Sequence, residues 1–217
     1  MDAYANFLSY FQIEKEALFD WGIKQTIFPP VEAVEREWEN LKKRIFENQR
    51  VYIRGYGRNA HGTYLYQGLY ATVFGNTQIQ KDPTNNAICH KLIERLTGLK
   101  RNRDIYNYQV SHIWGHTKNP FFFEAPWNLC YTPKLMDPFT GHESKGIWPE
   151  EYQKIFLAKA YKLYAPFLED YERVIQDYDM ENQIKKYVQS LGEREEERVL
   201  NQFERDALRE WKCIKID

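Results

Sequence analysis

Cysteine is scarce in this chain, and the three present, Cys89, Cys130 and Cys213, lie far apart with no CxxC pair among them. That spacing excludes a disulfide framework and a cysteine-rich zinc site, and leaves three reduced thiols. Long apolar runs are missing too: no window reaches the roughly 18 to 20 uninterrupted apolar residues that span a bilayer. The opening MDAYANFLSYFQIEKEALFDWG lacks the basic-then-apolar order of a secretion signal, so the expected location is the cytoplasm, with no membrane partner. Neither GxGxxG nor a GK[ST] ending occurs, which argues against a nucleotide phosphate loop. No Ser-His-Asp or Cys-His set carries a local signature either, so covalent hydrolase chemistry finds no support.

What the chain does have is charge sorted by region. The net charge is only -1, yet from Arg50 to Phe121 ten basic residues face three acids, which makes that block +7 and the remainder -8. A basic centre between acidic flanks suits a polyanion-binding surface. The candidate nucleic-acid contacts in and around this block are Arg54, Tyr56, Arg58 and Asn59 in the glycine-bearing run RGYGRN, then Asn86, Lys91 and Arg95 on a helix, and Lys100, Arg101, Arg103 and Lys118 beyond it. They combine charge, stacking rings and amides, the side chains that meet phosphates and base edges. Chance clustering on a solvated face is the plainer alternative.

The chain reads as four segments of one compact unit: a helical start (1–49), the basic region (50–104), a histidine-bearing stretch (105–146) and a helical end (147–217). Apolar residues at three- and four-residue steps predict helices over 2–20 and 30–47, the latter through Val31, Val34, Trp38, Leu41 and Ile45. Helices are also predicted over 64–74 and 85–96, with Thr84 or Asn85 as the cap of the second, and the pair resembles a recognition module with a long linker. Ile105 to His112 mixes β-branched and aromatic residues as a strand does. Two amphipathic helices follow Trp148 and Arg194, and their stripes need partners, within the chain or in a homodimer. The fold class expected is α+β, mainly helical.

Four of the five histidines lie between His90 and His142, and the stretch YQVSHIWGHTKNPFFFEAPWNLCYTPKLMDPFTGHESK sets His112, Asn128 and His142 in order. Hydrolysing a phosphodiester needs a base near neutral pKa, which histidine provides, and a metal to neutralise charge on phosphate. Over roughly 105–145 this order resembles the HNH, or ββα-metal, nucleases. The resemblance implies a small ββα-metal core in which His112 is the general base, Asn128 orients the site or binds the metal, and His142 is a metal ligand. It implies Mg²⁺ or Mn²⁺ as cofactor, double-stranded DNA as substrate and a type II restriction enzyme as the role. The sequence departs from the family at Ser111, where many members carry a metal-binding aspartate, and Asp137 is the candidate substitute. His116 and Asn119 are possible stand-ins, and Pro133 and Pro138 interrupt the helix expected before His142. Rival readings are a PD-(D/E)xK site from Asp137, Glu143 and Lys145, an RNA-directed nuclease, and a DNA-binding module that does not cut.

Overall fold

The computed structural model describes residues 2–55, 62–84, 86–141 and 144–214, the side chain of Glu193 apart. The class is α+β and mainly helical. Its opening segment folds as two helices, α1 (Ala3–Tyr10) and α2 (Lys15–Gln25), where the sequence predicts one. Gln12 has φ +55, a conformation that stops a helix, and Asp2 caps α1 by accepting from Tyr4 N at 2.9 Å. α3 (Val31–Phe46) buries the predicted stripe of Val34, Trp38, Leu41 and Ile45, each four or three residues on from the last.

The basic region is a βαβ unit. β1 (Val51–Ile53) pairs in parallel with β2 (Ile79–Lys81), Val51 opposite Ile79, and α4 (Thr63–Phe74) is the crossover between them. That corrects the expectation of a recognition module, because α4 is packed inward through Leu65, Tyr66, Leu69, Tyr70 and Phe74. α5 (Ala87–Thr97) follows. Its N–H groups are satisfied by Asp82 and not by Thr84: the buried carboxylate accepts from Ala87 N at 3.0 Å and Ile88 N at 2.9 Å.

β3 (Tyr108–His112) pairs antiparallel with β4 (Leu129–Pro133), His112 opposite Leu129, and Ile27 adds a bridge on the far side of β4 at Tyr131. Between the strands lie α6 (Pro120–Phe123) and a 3-10 turn over Pro126–Asn128. A second 3-10 turn, Asp137–Thr140, precedes α7 (Ile147–Asp177), α8 (Met180–Leu191) and α9 (Glu197–Glu210).

One hydrophobic cluster takes residues from all four sequence segments, from Phe19 to Trp211. Its centre is aromatic: Phe122 lies 4.8 Å from Trp127 and 4.6 Å from Tyr171 by ring centroids, both nearly edge to face, and Trp127 lies 5.4 Å from Trp38. A second, smaller cluster joins Cys89, Leu92 and Ile93 of α5 to Val110, Phe123, Leu129 and Tyr131. The hairpin is therefore clamped between the two clusters, which fixes where its polar residues stand. No helix among the described residues is long and apolar enough to cross a membrane.

Candidate functional site

The antiparallel register sets His112, at the end of β3, opposite Leu129 at the start of β4, with Asn128 just before it in the chain. His112 is 5% exposed. Its ring stacks on Phe123 at 5.3 Å and 18°, and its Nε2 donates to the Phe123 carbonyl at 3.0 Å. A carbonyl only accepts, so this bond fixes the tautomer with the proton on Nε2 and the basic lone pair on Nδ1. Cys89 Sγ donates to the same carbonyl at 3.0 Å, and burial pushes that thiol well up, keeping it a neutral packing group.

Asn128 is fully buried. Its Oδ1 accepts from Trp114 N at 2.8 Å, while Nδ2 donates to Gly115 O at 3.0 Å and Phe122 O at 2.9 Å. The carboxamide thus holds the chain that leaves β3, and its own backbone carbonyl accepts from Ile113 N at 2.8 Å. This corrects one expected role: an amide saturated by three backbone partners and sealed from solvent has no oxygen to give a metal.

On the other face of β3, Ser111 Oγ donates to Asp137 Oδ1 at 2.6 Å. A carboxylate therefore stands against the strand position where the sequence itself has a hydroxyl. Asp137 is half-buried. Its oxygens are the hard donors that Mg²⁺ or Mn²⁺ prefers, so the donor type fits the ion, although no group of three or more metal-binding side chains occurs among the described residues. His142 and Glu143 lie outside the described residues.

Beside the hairpin exit opens a cleft of about 980 Å³, lined among others by Ile113, Trp114, His116, Gly141, Trp211 and Cys213. His116 sits at φ +52, and burial lowers its pKa, outweighing the stabilising bonds to the Glu210 and Arg209 backbones. Asn119 caps α6 through Phe121 N at 2.9 Å and donates to Tyr171 Oη at 2.7 Å, a packing duty and not a catalytic one. The PD-(D/E)xK geometry is not met by Asp137, which lies in a 3-10 turn and not on a strand beside Lys145.

The basic residues divide by burial. Lys91, Arg95, Lys100 and Arg103 are exposed, Arg95 pairing with Glu37 at 2.8 Å and Arg103 with Asp104 at 2.8 Å. Arg54, Asn86 and Arg101 are half-buried, and Tyr56, Arg58 and Asn59 lie outside the described residues. Lys118 is 3% exposed, its side chain held inside the fold. Its N–H donates to Glu210 Oε2 at 2.9 Å, its carbonyl accepts from Tyr70 Oη at 2.6 Å, and its ammonium reaches Thr63 Oγ1. Sequence reasoning missed Asp82, Thr63 and Glu210, whose partners are all distant in the chain or hidden by turns.

A family model described as Uncharacterised protein PM1201 matches residues 29–216. The chain belongs to this family. "Uncharacterized protein PM1201" of Pasteurella multocida (strain Pm70) is 41% identical over 189 residues, covering 86% of each chain. No solved structure matches. The matched span begins just before α3 and so takes in the βαβ unit, the hairpin and the C-terminal helices together.

Proposed function

We propose that this PM1201-family protein is a metal-dependent endonuclease of double-stranded DNA, of the HNH type and with a restriction role. The observation that carries the reading is the Asp137 carboxylate, which the 3-10 turn after β4 sets 2.6 Å from Ser111 Oγ, on the face of β3 opposite to His112. The two strands are followed by the long helix α7, with α6 and a 3-10 turn between the strands and a second 3-10 turn before α7.

In this reading Asp137 would hold the divalent ion, with His142 as the further ligand that the resemblance implies. The ion would neutralise charge that develops on the phosphate oxygens. His112, oriented by the Phe123 carbonyl, would take the proton of the attacking water. Asn128 positions the loop and touches no substrate. Exposed Lys91, Arg95, Lys100 and Arg103 hold the duplex backbone. Cutting both strands calls for two sites, so a homodimer belongs to the proposal.

A DNA-binding module that does not cut is the second reading, favoured by the burial of His112. Supercoiled plasmid incubated with Mg²⁺ or Mn²⁺ separates them. The nuclease reading expects nicked or linear product that disappears in His112→Ala while DNA affinity persists. Binding without cutting under either ion would overturn it in favour of the module.

A further inference from the structure

The charged groups at the carboxyl end of the parallel pair serve no part of the hairpin site, and they do not resemble a solvated basic patch. Asp82 N donates to Ile53 O at 2.9 Å, so β1 and β2 end side by side. Three cations gather there. Arg54 leaves β1 with its N–H on Thr117 O at 2.9 Å and its guanidinium on Asn86 Oδ1 at 2.9 Å, while its Nε is buried without a partner. Lys81 closes β2 and lies across Gly55, where an added Cβ would stand 2.6 Å from Lys81 Cβ. Lys118 follows Thr117 and extends its buried ammonium to Thr63 Oγ1 in the first turn of α4, 5.7 Å over the Tyr66 ring.

Counter-charge is close but turned elsewhere. The Asp82 carboxylate is taken up by the N–H groups of Thr84, Ala87 and Ile88, and Glu210 accepts the Lys118 backbone N–H. Asp206 and Arg209 of α9 line the small hollow on the Tyr66 side. Among the described residues no carboxylate forms an ion pair with Arg54, Lys81 or Lys118. A buried ammonium with one hydroxyl acceptor is costly unless an anion completes its surroundings.

We propose that the carboxyl end of the β1–α4–β2 unit seats one phosphate group, held by Lys118, Arg54 and Lys81 at the first turn of α4. The ligand is an oxyanion accepting charge-assisted hydrogen bonds, with the N-terminal dipole of α4 adding to the attraction. Its source is a backbone phosphate of nucleic acid away from the scissile bond. That assignment of source rests on the nuclease reading; the phosphate site itself does not.

The test is calorimetry of the full chain with inorganic phosphate at pH 7 and low salt, using wild type, Lys118→Met and, as control, the exposed Lys186→Ala. Saturable phosphate binding is expected, weakened at least about tenfold in Lys118→Met and unchanged in Lys186→Ala. No saturable binding, or equal binding by Lys118→Met, overturns the site. If Lys118→Met fails to fold, the exposed Lys81→Met takes its place, with a loss of about threefold or more expected and no loss contradicting. Competition by blunt duplex without terminal phosphate supports the backbone source; competition only by duplex with a 5′-phosphate, or none, overturns that source. Plasmid cutting that persists without phosphate binding sinks this proposal alone, and phosphate binding without cutting sinks the nuclease reading alone.

Discussion

The β3–β4 hairpin and the β1–α4–β2 crossover are both built from two short strands, yet they treat buried polarity in opposite ways. At the hairpin every hydrogen-bonding atom of the Asn128 carboxamide is engaged with backbone, and His112 Nε2 is bound to the Phe123 carbonyl. At the crossover, among the described residues, Arg54 Nε has no partner and the Lys118 ammonium has a single hydroxyl besides the Tyr66 ring. Saturation makes the hairpin a rigid mount against which the following 3-10 turn sets Asp137. Incomplete pairing makes the crossover a place where a ligand gains the interactions that the chain itself withholds.

Asn128→Ala would break the contrast most severely. Removing the amide leaves the half-buried Trp114 N–H and Gly115 carbonyl without this partner and the buried Phe122 carbonyl with only Ala125 N, at a cost of about 3 kcal/mol. Urea denaturation should show the midpoint falling with the slope unchanged; a variant as stable as wild type would mean that the amide is not the lock described here.

Lys118 sharpens the other side. Burial holds its pKa down to about 8, with Lys81 and Arg54 pushing the same way and Glu210 opposing. Because the folded value lies below the ordinary 10.5, the unfolded chain binds the extra proton between those two values, and stability rises with pH across that window. Compared with Lys118→Met, wild type should therefore gain melting temperature between about pH 8 and 10.5. Parallel curves for the two proteins would remove the buried charge from the account.

The smallest effect belongs to the exposed face. Lys91→Ala should leave stability unchanged and lower the dependence of DNA affinity on salt by about 0.9 in logarithmic slope, the loss of one phosphate contact. An unchanged slope would take Lys91 off the duplex.

Much of the helical frame is legible in the sequence because periodicity is a local signal. The stripe on α3 is read from three- and four-residue steps. The break between α1 and α2 is not, since it depends on the positive φ of Gln12, a residue with no turn signature. The βαβ unit is hidden for another reason: two three-residue strands are too short to carry alternation, and their pairing joins residues 28 apart. At the site, the sequence order names His112, Asn128 and Asp137 as candidates. It does not reveal that the Asn128 amide is consumed by backbone, nor that Lys118 is drawn inside, because both facts depend on which carbonyls and hydroxyls the tertiary fold brings near.

The central claim is that Asp137 is the carboxylate of a hydrolytic metal site. Plasmid cleavage by Asp137→Asn, assayed in Mn²⁺ beside wild type after matching their thermal stability, tests it most directly. The account expects cutting by wild type and a loss of about 100-fold or more in the variant, with duplex affinity retained. Undiminished cutting by Asp137→Asn, or no cutting by wild type, would contradict it.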